Sequence, residues 1–168
     1  GVDVAQNFVE AATSDAAAAG SKNTKFFRAD VQVDDLGGPY DAAYSRFGLQ
    51  FFMSPVAALR NIKRALKPGG SLGFVTWRKR EDNQWLHVPE LTVRGLIAEE
   101  EEKKDEVTCG PGPFSMRGAD LVSDQLKAAG FEQIRFERHD TEICIGRDLD
   151  DAIAFSMAVR SPASTLSP

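Results

Sequence analysis

From Gly1 to Trp77 the chain alternates short apolar segments with segments of helical periodicity, and the connections between them are short. Such a pattern constrains the fold strongly, because it is met by parallel strands joined through right-handed crossover helices. Gly1 to Val4 reads as the end of a buried strand. Ala5 to Ala19 follows as a helix, with Val4, Phe8, Ala12, Ala16 and Ala19 on one side and Gly20 as its stop. Thr24 to Ala29 is short and aromatic and reads as a strand closed by Asp30. Asp34 to Pro39 is a turn-rich loop. Tyr40 to Phe47 is the next strand, and its small residues suit burial on both faces. Ser54 and Pro55 open a helix as N-cap and first helical residue. Val56, Leu59, Ile62 and Leu66 form its apolar stripe, while Arg60, Lys63, Arg64 and Lys67 are expected to face water. Pro68-Gly69-Gly70 ends it, and Ser71 to Trp77 reads as a central strand.

The second half is patterned differently. Gln84 to Ile97 reads as a helix with Trp85, Val88, Leu91 and Leu96 inward. Glu99 to Glu106 is a charge run, read as a solvated helix end or loop. Cys109 to Phe114 must be a loop. Leu121 to Ala129 is a helix with Leu121, Val122, Gln125, Leu126 and Ala129 on one side, ended by Gly130. Glu132 to His139 alternates strictly and reads as a half-buried edge or antiparallel strand. Asp148 to Val159 is a last helix, and Ser161 to Pro168 a loose tail.

Composition narrows the function classes. The 168 residues are 42% hydrophobic and 27% charged, values of an ordinary globular protein. A net charge of -5 gives no nucleic-acid footprint. No apolar run is long enough to span a bilayer. The first residues are no signal peptide. Cys109 and Cys144 lack metal-ligand spacing, so no metal site is expected and a reduced, cytoplasmic setting fits.

Ligands of an open parallel sheet bind at the carboxyl ends of its strands. Asp3 and Asp30 stand at two such ends. Ser45-Arg46-Phe47 and Trp77-Arg78 stand at the next two. A carboxylate only accepts hydrogen bonds and suits a vicinal diol, and a second acid one strand along suits an exocyclic adenine amine. Either aspartate also serves as a helix cap or turn former, and that reading stays open.

Taken in order, Gly1-Val2-Asp3-Val4, Phe27-Arg28-Ala29-Asp30-Val31, Tyr40 to Phe52 and Leu66-Lys67-Pro68-Gly69-Gly70-Ser71-Leu72 resemble successive motifs of the class I S-adenosylmethionine-dependent methyltransferases. The closest group is the small-molecule enzymes similar to the ubiquinone/menaquinone-biosynthesis C-methyltransferases. The resemblance implies an α/β, Rossmann-like fold with a mostly parallel sheet and a terminal antiparallel strand. It implies one partial domain over 1–168, with a cofactor-binding half at 1–80, a cap or lid insertion at 81–118, and a helix–strand–helix part at 119–168. It also implies a strand and a Gly-x-Gly-x-Gly loop ahead of the acidic strand at which this chain opens. The chain is therefore expected to be a fragment, incomplete at both ends and prone to aggregation at its unpaired strand edges.

By the same resemblance S-adenosyl-L-methionine is the cofactor. Asp3 would hold its ribose, with Val4 beside it. Asp30 would meet the adenine amine, and Val31 would lend its backbone. Ser45, Arg46 and Phe47 would line the methionine end. Phe51, Phe52, Trp77 and Phe114 would shape a pocket for a greasy or aromatic small-molecule acceptor. Methyl transfer from a sulfonium requires alignment and exclusion of water more than a base. His87, and behind it His139 and Asp82, are the candidates if a base exists. Trp85 reads as core. Two rival readings are a methyltransferase-like domain without activity that binds or regulates, and a nicotinamide-dependent oxidoreductase, which also uses an acid after a glycine loop.

Overall fold

A computed structural model of the chain describes residues 1–96 and 111–160. The charge run Glu99 to Glu106, Cys109 and the tail Ser161 to Pro168 lie outside the described residues. The described residues form two compact units. One comprises Gly1–Arg78 with residues 111–134, and the other residues 79–96 with 135–160.

The first unit is built from two strand–helix–strand repeats. Strand β1 (Val2–Asp3) leads into helix α1 (Gln6–Ala18), which returns to β2 (Phe27–Arg28). Strand β3 (Tyr40–Arg46) leads through a 3-10 turn at Leu49–Phe51 into α2 (Pro55–Ala65), which returns to β4 (Leu66–Val75). Both pairs are parallel, β1 with β2 and β3 with β4, as the alternating pattern requires. They form two separate two-stranded sheets. Gly20 ends α1 as expected: its φ is 66°, and Ser21 N–H donates to the Ala16 carbonyl at 2.9 Å.

Several sequence expectations are corrected. The strand expected over Thr24 to Ala29 pairs only at Phe27–Arg28. Pro68-Gly69-Gly70 lies inside β4, not between helix and strand. Tyr40 pairs with Leu66 and Ala42 with Ser71, so Lys67 to Gly70 are looped out of register, with Gly69 at φ 79°. Strand β3 is covered on one face only. Ala43, Leu72 and Phe74 pack on the core, whereas Tyr44 on the opposite face is 71% exposed. The α1 stripe is also uncovered, with Phe8 62% exposed.

The core lies where α2 packs against β4 and against helix α4 (Ala119–Ala128). Leu59, Ile62 and Ala65 from α2 meet Val122 and Leu126 from α4, with Leu49, Leu66 and Met116 around them. Burying one such leucine stabilises by about 1.5–3 kcal/mol. Leu121, expected on the inner side of α4, is half exposed. Two cations of α2 do not simply face water. The Arg60 guanidinium donates to the Ala128 carbonyl at 3.0 Å, and Lys63 donates to the Gly130 carbonyl. Both thus cap the carboxyl end of α4, where unpaired carbonyls and the helix dipole favour positive charge.

In the second unit, α3 (Gln84–Leu96) and α5 (Leu149–Arg160) are helices as expected. Trp85 of α3 approaches Phe155 of α5 at 5.9 Å between ring centres. Val88, Leu91 and Leu96, expected inward, are exposed. The Asp151 carboxyl is held below its ordinary value by hydrogen bonds from the Arg147 side chain and backbone. Its small contribution is present at neutral pH and is lost as pH falls through the lowered pKa. Residues 132–139 form no strand, and with them the terminal antiparallel strand is missing among the described residues. Alternation marks a ribbon that a sheet can use, but a strand exists only where another edge pairs with it.

Among the described residues β1 and β3 each pair along one edge only, and the face carrying Tyr44 is open, so self-association of this 168-residue chain is the expected outcome. Sedimentation over a range of concentrations is expected to show oligomers. A monodisperse monomer with one sharp unfolding transition would overturn this.

Candidate functional site

The carboxyl ends of β1 and β2 are adjacent, because Asp3 pairs with Arg28 and the Asp3 carbonyl accepts from Ala29 N–H at 3.0 Å. Asp3 is exposed. One of its carboxylate oxygens accepts from Ala5 N–H at 2.8 Å, just ahead of α1. This bond does the local turn-forming work expected of a strand-end aspartate, and it leaves the other oxygen to accept from a ligand. The Val4 carbonyl is engaged by Arg28 Nε at 3.0 Å.

Asp30 opens a tight turn over residues 30–34. Its Oδ1 accepts from Gln32 N–H at 2.9 Å and from Gln32 Nε2 at 3.1 Å, while its own N–H donates to Asp34 Oδ2 at 2.7 Å. The turn is bound to α2 at two points. Asn61 Nδ2 donates to the Val31 carbonyl at 2.8 Å and to the Asp34 carbonyl at 2.7 Å. Gln32 Oε1 accepts from Ser54 N–H at 2.8 Å. Ser54 occupies the N-cap position of α2, but its side chain makes no capping bond. The Val31 carbonyl already accepts from Asn61 Nδ2.

At the end of β3, Ser45 is half-buried, Arg46 is exposed and Phe47 bends the chain with φ 58°. A non-glycine residue in this left-handed region costs about 1–2 kcal/mol. Phe47 is held there by its N–H, which donates to the Val75 carbonyl at 2.9 Å, and by stacking on Trp77 at 4.3 Å and 15°. Such stacking contributes roughly 0.5–1.5 kcal/mol beyond its buried area. Strain retained at a strand end is a common mark of a functional site.

The following 3-10 turn is anchored by Gln50, which is only 1% exposed. Its carbonyl accepts from Gly112 N–H at 3.0 Å and from Ser115 Oγ at 2.5 Å. Its side-chain Oε1 accepts from Trp77 N–H at 3.5 Å. The turn carrying Phe114 is thereby held on the segment carrying Phe47, Phe51 and Phe52. Phe51 is exposed at the surface, and Phe52 packs on the core.

The structure thus brings Asp3 and Asp30 to neighbouring strand ends, stacks Phe47 on Trp77, and ties the Phe114 turn to Gln50. His87 and Asp82 lie in the second unit, and His139 lies on the unpaired, exposed stretch before α5. An open cleft of about 390 Å³ between Val33–Gly37 and α2 contains none of the expected site residues. Among the described residues, no group of three His, Cys, Asp or Glu could hold a metal ion, and no helix is long and apolar enough to cross a membrane.

Sequence reasoning missed Gln32, Gln50 and Asn61 as organising residues. The available signal was an amide at an inward position: Asn61 adjoins the apolar stripe of α2, and Gln50 lies in the apolar run Phe47 to Phe52. A buried amide is informative because it must be hydrogen-bonded.

The paired parallel strands and the crossover helices form a Rossmann-like α/β arrangement. Residues 1–74 match the model of the methyltransferase domain family. The 4+2 cyclase SpnF is similar in structure, with 28% identity and a TM-score of 0.56 over 79% of this chain and 41% of that one. The YcgJ protein from Bacillus subtilis matches at 25% identity and a TM-score of 0.42, over 54% of this chain and 41% of that one. The chain thus spans about two-fifths of the length of these structures. Residues 1–74, somewhat under half of the chain, are thus similar to the methyltransferase domain family.

Replacing Asn61 by Leu leaves the Val31 and Asp34 carbonyls without their donor. The expected loss is about 2–4 kcal/mol of stability by denaturant unfolding. A loss below about 0.5 kcal/mol, the level of an ordinary surface change, would show that these bonds do not hold the turn.

Proposed function

We propose that the protein of which this chain forms part transfers a methyl group from S-adenosyl-L-methionine to a small hydrophobic or aromatic acceptor. It would be similar to the ubiquinone/menaquinone C-methyltransferases. The observation that carries the reading is the pair of carboxylates, Asp3 and Asp30, at the ends of adjacent parallel strands inside the segment that matches a methyltransferase domain. SpnF is named as a cyclase, so its likeness supports the fold, whereas the reaction rests on the family match. That match favours methyl transfer over the nicotinamide reading.

The donor set fits the cofactor. Asp3 is exposed and keeps one carboxylate oxygen for the ribose hydroxyls. Asp30 keeps Oδ2 for the adenine amine, with Val31 N–H beside it. Val4, Ser45, Arg46 and Phe47 lie at the strand ends where the rest of the cofactor would be held. When bound, the cofactor supplies a methyl group already activated by the sulfonium charge. The chain's part is to orient and to exclude water, which Phe47, Phe51, Phe52, Trp77 and the Phe114 turn are suited to do as apolar walls. His87 is retained as a candidate base on the sequence reading alone. The acceptor's aromatic character follows from those walls, and a cytoplasmic setting from the composition.

Calorimetry on the full-length protein is expected to show binding of S-adenosylmethionine and S-adenosylhomocysteine. Asp3→Ala is expected to weaken both by about ten- to hundredfold, the value of a hydrogen bond to a charged group. Binding of neither ligand by the wild type would overturn the reading in favour of a binding or regulatory domain. Unchanged binding by the variant would remove Asp3 from the site.

A further inference from the structure

Gln32 is half-buried and uses both ends of its side chain. Its Nε2 donates to Asp30 Oδ1 at 3.1 Å, and its Oε1 accepts from Ser54 N–H at 2.8 Å. These partners fix which way the amide points. A backbone N–H can only donate and a carboxylate can only accept, so the reversed amide would face a donor with a donor and an acceptor with an acceptor. The amide therefore cannot flip without losing both bonds. The Gln32 backbone N–H adds a second bond to the same Oδ1 at 2.9 Å, whereas Oδ2 has only a long contact of 3.4 Å from Nε2. Oδ1 is satisfied from within the protein, and Oδ2 is left as the accepting atom.

We propose that Gln32 is a positioning residue for recognition of the nucleoside base. By holding Oδ1 it turns Oδ2 of Asp30 toward the exocyclic amine of adenine and gives the site its preference for a 6-amino over a 6-oxo purine. The inference rests on the S-adenosylmethionine reading above. The same side chain carries the base contact to the start of α2 through Ser54, two residues after Phe52. A purine with a 6-oxo group brings an acceptor against a carboxylate and is rejected, because the site's acceptor is left unpaired.

The test compares full-length wild type with Gln32→Ala, Gln32→Glu and Asp30→Asn. Affinities are measured for S-adenosylhomocysteine, its 6-oxo (inosyl) analogue and its 2′-deoxy analogue. Wild type is expected to favour the 6-amino base by about tenfold or more. Both Gln32 variants are expected to lower that preference at least threefold while the preference for the 2′-hydroxyl is unchanged. Gln32→Glu keeps the acceptor for Ser54 N–H but loses the donor to Asp30, so it separates positioning from simple loss of the turn. If both Gln32 variants keep the base preference while Asp30→Asn abolishes it, Gln32 has no positioning role and the nucleoside reading stands. If the variants lose base and ribose preferences alike, Gln32 is merely structural and the proposal falls. If Asp30→Asn leaves the base preference intact, or wild type binds none of the ligands, the assignment of Asp30 fails and this inference fails with it.

Discussion

The amide of Asn61 is a polar group inside the apolar contact of α2 with its neighbours, and its burial is tolerable only because two carbonyls use it. That one requirement fixes the 30–34 turn against α2, and the turn in turn sets Asp30. The neighbouring β1 end, where Asp3 stands, is registered to β2 by backbone bonds. The acidic rim therefore depends on a helix that sequence order places some thirty residues later. The remaining side-chain oxygen of Asn61 accepts from Arg64 at 2.8 Å, so the amide is used at both ends.

The aromatic side of the site has a comparable organiser in Gln50. Its backbone carbonyl gathers two donors from the 112–115 turn, and its side chain meets the backbone of Trp77. Phe47 adopts a backbone conformation that opposes its own preference, and stacking on Trp77 offsets part of that cost. Two buried amides, Asn61 and Gln50, thus do at the two ends of the candidate site what hydrophobic packing cannot do. Packing sets how closely elements approach, whereas directional hydrogen bonds set which atoms face the ligand.

Much of this was legible along the chain. The alternation of apolar and helical segments announced parallel strands joined by crossover helices, because period and connection length leave few other arrangements; that the strands pair as two separate two-stranded sheets was not announced. Asp3 and Asp30 were visible as strand-end acids. The linked amides were not, since a glutamine or asparagine in a sequence carries no sign of the carbonyl it will meet. Arg60 and Lys63 read as solvated cations, yet they cap α4, a helix about sixty residues away. The alternation of Glu132 to His139 read as a strand, yet among the described residues no edge pairs with it.

The sequence by itself determined the class of fold, the direction of strand pairing and the acidic residues at the strand ends. These depend on local periodicity and on residue chemistry, both of which are properties of neighbouring positions. The tertiary structure alone decided which carboxylate oxygen is left to accept, which face of β3 is covered and which cations cap a distant helix. It also decided that the Phe114 turn belongs with Gln50. Each of these depends on a partner far away in the chain, and a partner's position exists only once the chain has folded.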